Sequence, residues 1–120
     1  MARRWSEAGG VFQFPFMGAA SRSLRGERGI FCPKCEQTTL RAYFHAFDRE
    51  NHMGTIWVWC PECRTTAHLP RATPKVELGL DPFADLSRDE FARLETNSSE
   101  HLLDRLERLW TQGQLGPRGD

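Results

Sequence analysis

The chain has 120 residues, of which 39% are hydrophobic, a length and composition that suit one compact domain with short tails. Sixteen Lys and Arg balance sixteen Asp and Glu, so the chain as a whole lacks the net positive charge typical of proteins that bind nucleic acid or anionic membranes. No apolar run approaches the roughly 20 residues of a membrane-spanning helix, and we expect no membrane partner.

Residues 1–29 are rich in Gly, Arg and Ser and carry five Arg against two Glu. They show no sustained periodicity, and we therefore predict a mobile, Arg-rich N-terminal arm. Their apolar patch, residues 11–17, has a second interpretation as a docked strand or extended peptide, which Pro15 would restrict to a sheet edge. The sequence leaves open whether Met17 is the true translation start.

The four cysteines of the chain form two similar pairs with 24 residues between them, Cys32-Pro33-Lys34-Cys35 and Cys60-Pro61-Glu62-Cys63. A two-residue spacing lets one tight turn direct both sulfurs at a single point. Two such turns supply the four thiolates of a closed tetrahedral Zn²⁺ site. A closed site leaves no coordination position for a substrate, so we expect one structural zinc ion and no catalysis at the metal.

Three other interpretations of the cysteines remain. A disulfide framework would require export, but Glu7, Gln13 and Pro15 interrupt the apolar stretch that a signal peptide needs. A thioredoxin-like redox pair needs one such motif in a βαβ setting, which is absent. Iron in a rubredoxin-like site would use the same spacing. Zinc is the usual occupant of tetrahedral sulfur sites, and paired thiols suit the reducing cytoplasm, where we expect the protein.

Residues 39–69 predict three strands. The first covers 39–47 and alternates, with one face formed by Leu40, Ala42, Phe44 and Ala46. A polar reversal over 47–54 leads to a β-branched and aromatic strand over 55–60, whose two faces are Ile56 with Val58 and Trp57 with Trp59. A third short strand over 65–69 is expected to end at Pro70.

Two cysteine knuckles joined by such a hairpin resemble the zinc-ribbon group of folds, over about 40 of the 120 residues. The resemblance implies that Cys32, Cys35, Cys60 and Cys63 are the ligands, and nothing more. Ribbon knuckles often place Gly after the second cysteine to accept a positive φ, whereas this chain has Glu36 and Arg64 there. Ribbons serve many unrelated roles, so the resemblance transmits no function.

Residues 73–120 predict helices and carry ten acidic residues against six basic ones. Asp81-Pro82 suits the start of a brief helix with Phe83 and Leu86, and Ser87 to Glu90 forms a capping box before Phe91 and Leu94. A second such signal at 97–100 precedes a stripe at helical spacing, Leu102, Leu103, Leu106, Leu109 and Trp110. Gly113 is a plausible stop, and 116–120 should fray.

The predicted fold is thus a small α+β metal-bound domain. A mobile arm (1–29) precedes a zinc-ribbon hairpin or three-stranded sheet (30–72), followed by a helical extension packed on the ribbon (73–115) and a frayed tail (116–120). The candidate binding surface is the aromatic hairpin with its flanking cations: Tyr43, Phe47, Trp57, Trp59, Arg41 and Arg64. The simpler interpretation of the rings, which we favour, is that knuckles and C-terminal helices cover the two faces.

The remaining polar residues do not indicate catalysis. His45, His52, His68 and His101 are dispersed and lack ligand spacing, and we interpret them as surface or packing residues. The acidic residues of the C-terminal half fall on predicted helix exteriors and alternate with Arg93, Arg105 and Arg108, as on a solvated face. We expect no enzyme and no small-molecule substrate.

The function that fits is a non-catalytic zinc-ribbon module that binds another protein, as an adaptor, a regulatory subunit or a toxin-neutralising immunity-type protein. The alternative is a nucleic-acid-binding zinc ribbon in transcription or RNA metabolism. In that case the arginines of the N-terminal 29 residues would contact phosphates, and Lys34, Arg41 and Arg64 would flank the ribbon.

Overall fold

A computed structural model describes residues 5–9, 13–76, 81–87, 89–91, 93 and 99–115. Its elements are β1 (Ser6–Glu7), α1 (Gln13–Leu24), β2 (Arg41–Asp48), β3 (Met53–Cys60), β4 (Thr65–Ala72) and α2 (Ser99–Thr111). The predicted small α+β class is confirmed. Within the described ranges, no helix has the length and apolar character needed to cross a membrane.

The strands form one mixed sheet in the order β1-β4-β3-β2. The β2–β3 and β3–β4 pairs are antiparallel, with Tyr43 opposite Trp57 and Trp57 opposite His68. All three predicted strands are present: β2 begins two residues later and ends one residue later than expected, whereas β3 and β4 are each longer than the sequence indicated. The sheet also has a short fourth strand, β1, which pairs parallel to β4 and which the sequence did not predict.

Pro70 does not end β4, contrary to expectation. The β3–β4 register shifts between Gly54 and Ile56, so Pro70 and Arg71 of β4 lie opposite the single residue Thr55 of β3. Pro70 lies within this bulge, past the two positions where β1 pairs with β4. Proline is tolerated in a bulge on an unpaired edge because its missing N–H costs no ladder bond there.

Gly54 lies in β3 rather than in the reversal. It pairs with Ala46, and a Cβ at this position would lie 1.9 Å from the carbonyl oxygen of His45. The two backbones therefore approach too closely for any side chain, and the absence of a Cβ, not turn-forming flexibility, explains the glycine.

The described part of residues 1–29 differs from the predicted arm. Residues 13–24 form a 12-residue helix, neither an arm nor a docked strand. Pro15 is compatible because it lies in the first turn, where its missing N–H has no intrahelical partner. Phe16 and Ala20 are fully buried, so α1 is part of the core. Residues 1–4 and 10–12 lie outside the described residues.

Both helices end in the same way. After α1, the Gly26 N–H bonds Ser23 O and the Glu27 N–H bonds Arg22 O; after α2, Gly113 and Gln114 repeat the pattern on Trp110 and Leu109. Each glycine has a positive φ, 101° at Gly26 and 72° at Gly113. These are Schellman caps, and the predicted stop at Gly113 is confirmed.

The sheet is buried on both faces, which separates two cores. The α1-side core is mainly aliphatic and contains Phe16, Ala19, Ala20, Leu24, Ala42, Phe44, Ala46, Ile56, Val58, Ala67 and two cysteines, Cys32 and Cys60. The C-terminal-side core contains Tyr43, Trp57, Trp59, Phe83, Phe91, Leu102, Leu103, Leu106 and Leu115. The predicted alternation of faces along β2 and β3 is therefore present.

The chain between β4 and α2 is only partly regular. Asp81 accepts a bond from the Phe83 N–H at 2.8 Å, but the predicted brief helix is a pair of turns over 82–85. The capping box is confirmed: the Ser87 N–H donates to Glu90 Oε1 (3.1 Å) and the Glu90 N–H donates to Ser87 Oγ (3.2 Å). Leu94, residues 97–98 and the predicted frayed tail over 116–120 lie outside the described residues.

Candidate metal centre

The sheet brings the two cysteine pairs together. Cys60 is the last residue of β3, and Cys63 lies two residues before Thr65, the first residue of β4. The other pair, Cys32 and Cys35, lies in the loop between Ile30 and Leu40. An isolated antiparallel bridge joins these two residues and closes the loop next to the start of β2. Within that loop the Glu36 N–H bonds Cys32 O (2.9 Å) and the Cys32 N–H bonds Gln37 O (2.8 Å).

The residues after each pair adopt the conformation usually given to glycine. Glu36 has φ 65° and Arg64 has φ 55°. The knuckle turn therefore keeps its left-handed residue although neither position is Gly. A non-glycine residue in this region costs on the order of 1 kcal/mol or more, so other interactions must stabilise both turns.

The four sulfur atoms lie within 4.8 Å of one another. Cys32 Sγ is 3.9 Å from Cys63 Sγ, and Cys35 Sγ is 3.6 Å from Cys60 Sγ. A tetrahedral ion with metal–sulfur bonds of about 2.3 Å has sulfur–sulfur edges of about 3.8 Å. The arrangement therefore fits one metal ion held by four thiolates, while all four cysteines are free of disulfide bonds.

Polar groups surround the sulfurs unevenly. Burial raises the pKa of the Cys32 thiol to about 12, against the opposing effect of backbone N–H groups at Cys35 and Lys34. Burial would also raise the pKa of Cys60, but bonds from the Thr39 hydroxyl and the Cys63 and Glu62 N–H groups lower it overall. Thr39 Oγ1 lies 3.2 Å from Cys60 Sγ, and Thr65 Oγ1 lies 3.3 Å from Cys63 Sγ. A hydroxyl that donates to a thiolate, as Thr39 can to Cys60, orients and stabilises that ligand. The Thr65 hydroxyl instead accepts from the Cys63 thiol and donates to the Cys63 carbonyl oxygen.

Three of the four aromatic residues of the candidate binding surface are buried. Tyr43, Trp57 and Trp59 are at most 3% exposed, and Phe47 is half-buried. Their faces contact the C-terminal residues: Tyr43 meets Phe83 edge-on, and Trp59 meets Trp110 in the same way. Stacking of a base requires an exposed ring face, which these three side chains lack.

The two arginines of the candidate surface are engaged by α2. Arg41 bonds Glu107, and Arg64 bonds Asp104 at 3.0 Å while stacking over the Trp5 ring at 4.1 Å. The prediction that the C-terminal acids form a solvated face is wrong for these two. Sequence patterns could not reveal these two ion pairs. A carboxylate at the edge of an apolar helical stripe has the same local sequence pattern whether it faces solvent or a distant arginine.

The arginines proposed as phosphate contacts are also placed differently from expectation. Arg22 pairs with Glu27 at 2.8 Å, and Arg28 stacks over the Trp110 ring at 5.0 Å. Arg25 is exposed, and Arg3 and Arg4 lie outside the described residues.

A buried polar cluster escaped sequence reasoning. The Tyr43 hydroxyl donates to Asp81 Oδ1 (2.5 Å), and His45 Nδ1 lies 3.3 Å from Asp81 Oδ2. His45 is fully buried and stacks on Phe91 at 4.2 Å, and its Nε2 has no hydrogen-bond partner. Burial and the nearby Asp81 carboxylate raise the pKa of Tyr43. Strand alternation places Tyr43 and His45 on one face, but nothing in the sequence connects them to Asp81.

The other histidines agree with the packing interpretation as far as they are described. His68 stacks on Trp57 with ring centroids 4.7 Å apart, and His52 is exposed in the β2–β3 turn with φ 51°. None of the described histidines lies in the group of four sulfur ligands.

Comparisons with known proteins identify no relative: no family model, no curated protein and no solved structure matches this chain.

Proposed function

We propose that the four thiolates bind one Zn²⁺ as the structural centre of a zinc ribbon in a cytoplasmic protein that acts by binding another protein. The four-sulfur donor set, with sulfur–sulfur distances of 3.9 Å between Cys32 and Cys63 and 3.6 Å between Cys35 and Cys60, supports zinc, the usual ion of such sites. Four protein ligands complete a tetrahedron, so the ion would stabilise the fold and leave no position for a substrate or an activated water.

The exposed face of α1 is the observation that carries the protein-binding proposal. Phe14 is 86% exposed, more than any other large hydrophobic residue among those described. Gly18, one turn later, has no heavy atom within 4 Å of where its Cβ would lie, so a partner could approach the helix backbone closely. Phe14 beside Gly18 thus offers an aromatic side chain and an open stretch of backbone, and aromatic side chains are enriched in the buried centre of protein interfaces.

The nucleic-acid alternative has less support. The rings of Tyr43, Trp57 and Trp59 are covered. Of the three flanking cations, Arg41 and Arg64 are paired with Glu107 and Asp104, and only Lys34 is exposed. Binding of a phosphate backbone at these positions would first have to displace two carboxylates. Protein binding at α1 requires no such rearrangement.

The metal half of the proposal is tested by native mass spectrometry of the purified chain. We expect the mass of one zinc ion per chain and four thiols that become alkylated only after chelation. Bound iron, or a pair of disulfides in place of the metal, would contradict it.

The binding half is tested by cross-linking and affinity purification from the native cell with three forms of the full chain. We expect wild type to retain a protein that Phe14→Asp loses. The matched control is Leu69→Asp, which places the same charge at another exposed apolar residue, 40% exposed on β4, and should behave as wild type. Equal recovery with Phe14→Asp and Leu69→Asp would refute a role for α1.

A further inference from the structure

Three carboxylates of the C-terminal half make the same kind of contact. Each lies between one aromatic side-chain donor and one basic side chain. Asp81 joins Tyr43 and His45, Asp104 joins Trp5 (2.9 Å) and Arg64 (3.0 Å), and Glu107 joins Trp59 (2.9 Å) and Arg41. We call these three contacts the carboxylate clamps.

The carboxylate clamps differ from the contacts that hold α1. Phe16, Ala20 and Leu24 attach α1 through apolar packing alone, which has no directional requirement. The two clamps on α2 are ion pairs with arginine and are only partly buried, since the side chain of Asp104 is 44% exposed and that of Glu107 is 23% exposed. The Asp81 clamp is buried. Water and salt can therefore reach two of the three, and contacts of this kind weaken as they are hydrated or screened.

The sheet face beneath α2 is a ready-made recognition surface. Without α2 it would present the indole N–H of Trp59 and the guanidinium of Arg41 beside each other, next to the Trp5 indole and Arg64. The contacts of α2 show which kind of helix this face binds. Such a helix has leucines at three- and four-residue spacing, as at Leu102, Leu103 and Leu106, and two carboxylates three residues apart, as at Asp104 and Glu107.

We propose that α2 is an intramolecular occupant of this face and that a partner's acidic amphipathic helix of the same pattern replaces it. This is a second protein-binding surface, on the opposite face of the sheet from α1, and it goes beyond the proposed function in naming the chemistry of its partner. Because α2 is tethered, its effective concentration is high, and a partner binds only to the fraction of molecules in which α2 is released. The two carboxylate clamps on α2, those of Asp104 and Glu107, set that fraction.

The proposal is tested in the full-length, zinc-loaded chain with a double variant, Asp104→Asn with Glu107→Gln. These isosteric changes remove both charges from the protein's own α2. The probe is a fluorescent peptide with the wild-type sequence of residues 99–113, whose carboxylates are intact. We expect its affinity for the double variant to exceed that for wild type by about tenfold or more, because the tethered competitor is weakened.

Two controls separate the clamps from general charge. Asp85→Asn with Asp89→Asn removes two charges from exposed residues of the same half, and this variant should bind the peptide as wild type does. A probe peptide carrying the same Asn and Gln changes should bind the double variant more weakly than the wild-type peptide does, because it lacks the carboxylates that pair with Arg41 and Arg64.

Hydrogen exchange gives an independent readout. The α2 amides of the double variant should exchange about tenfold faster than in wild type, while the α1 amides stay unchanged. Unchanged peptide binding together with unchanged α2 exchange would overturn the proposal. Loss of zinc or of α1 protection in the double variant would overturn it as well, because α2 would then be inseparable from the rest of the fold. The affinity purification with Phe14→Asp tests only the α1 surface, so its outcome is independent of the peptide binding and hydrogen exchange that test α2.

Discussion

The two faces of the sheet are built and held by different chemistry. On one side, α1 packs Phe16 and Ala20 onto aliphatic residues such as Val58, and the cysteines belong to the same core. On the other side, the rings of Trp57 and Trp59 pack with leucines of α2, and the Glu107 carboxylate accepts a hydrogen bond from the Trp59 indole N–H. Because alternate residues of a strand face opposite sides, a single strand, β3, supplies both cores.

The distribution of tryptophan makes this difference measurable. All four tryptophans, at 5, 57, 59 and 110, lie in the C-terminal-side core or pack against it. Tryptophan fluorescence therefore reports on that core, whereas metal content reports on the thiolates of the α1-side core. The two signals can show whether the faces unfold together or separately.

The largest expected effect comes from removing a metal ligand. Cys60→Ser should abolish stoichiometric zinc and unfold residues 30–70, because structural zinc contributes on the order of 10 kcal/mol or more to a domain of this kind. The C-terminal-side core should then also be lost, since β3 is its platform. Circular dichroism and thermal melting measure both changes.

Thr38→Ala is the control for that variant, because Thr38 is an exposed residue of the same loop and no sulfur contact involves it. Its free energy of unfolding should lie within a few tenths of a kcal/mol of the wild-type value. An unchanged melting curve for Cys60→Ser would mean that the metal is not structural.

A smaller effect is expected from a cavity on the C-terminal side. Leu106 is fully buried, and Leu106→Ala should cost about 2–5 kcal/mol. If the two cores are separable, tryptophan emission should shift to the red at a denaturant concentration where zinc is still bound. The corresponding variant on the other face, Phe16→Ala, should lose fluorescence and zinc in one transition.

Leu69→Ala, at an exposed position of β4, serves as the reference and should change stability by less than about 0.5 kcal/mol. Simultaneous loss of zinc and fluorescence in Leu106→Ala would show that the two cores form a single cooperative unit.

The smallest effect concerns the capping box. The N–H and hydroxyl groups of Ser87 hold the pKa of Glu90 below its ordinary value of 4.5. A depressed folded-state pKa adds stability above the unfolded-state pKa, and that stability is lost as the pH falls through the folded-state value. Ser87→Ala removes the hydroxyl but keeps the backbone N–H, which is the larger cause, so the Glu90 pKa should rise only part of the way toward 4.5. The lost cap should cost about 1 kcal/mol.

An NMR titration of the Glu90 side chain measures this shift, with Asp89→Asn as a control at the neighbouring exposed acid. An unperturbed Glu90 pKa in wild type would mean that the capping box is not formed in solution.

Local patterns predicted local structure well. The spacing of Cys32, Cys35, Cys60 and Cys63 identified a group of four sulfurs that the structure brings within 4.8 Å. The alternation of Ile56, Trp57, Val58 and Trp59 assigned the two faces of β3, and Ser87, Glu90 and Gly113 marked caps that are formed. Each of these signals is complete within a few residues, so no distant contact is needed to interpret it.

Residues 13–24 were mispredicted because their helical character depends on a distant surface. Pro15, Gly18 and the serines are poor helix formers, and the segment becomes a helix where Phe16 and Ala20 find the aliphatic face of the sheet. Pro70 was mispredicted for a related reason, since only the pairing of β3 with β4 reveals the bulge that accommodates it.

The sequence by itself determined where the four cysteines meet, which residues share a face of β2 and β3, and where the capping box and the C-terminal end of α2 lie. Only the tertiary structure decided that α1 covers one face, that Asp81, Asp104 and Glu107 are bound to aromatic and basic side chains of the other half of the chain, and that the rings are covered. The physical reason is range. Spacing and periodicity act over a few residues, whereas a carboxylate has the same local pattern in solvent as it has beside an arginine 40 or 66 positions away.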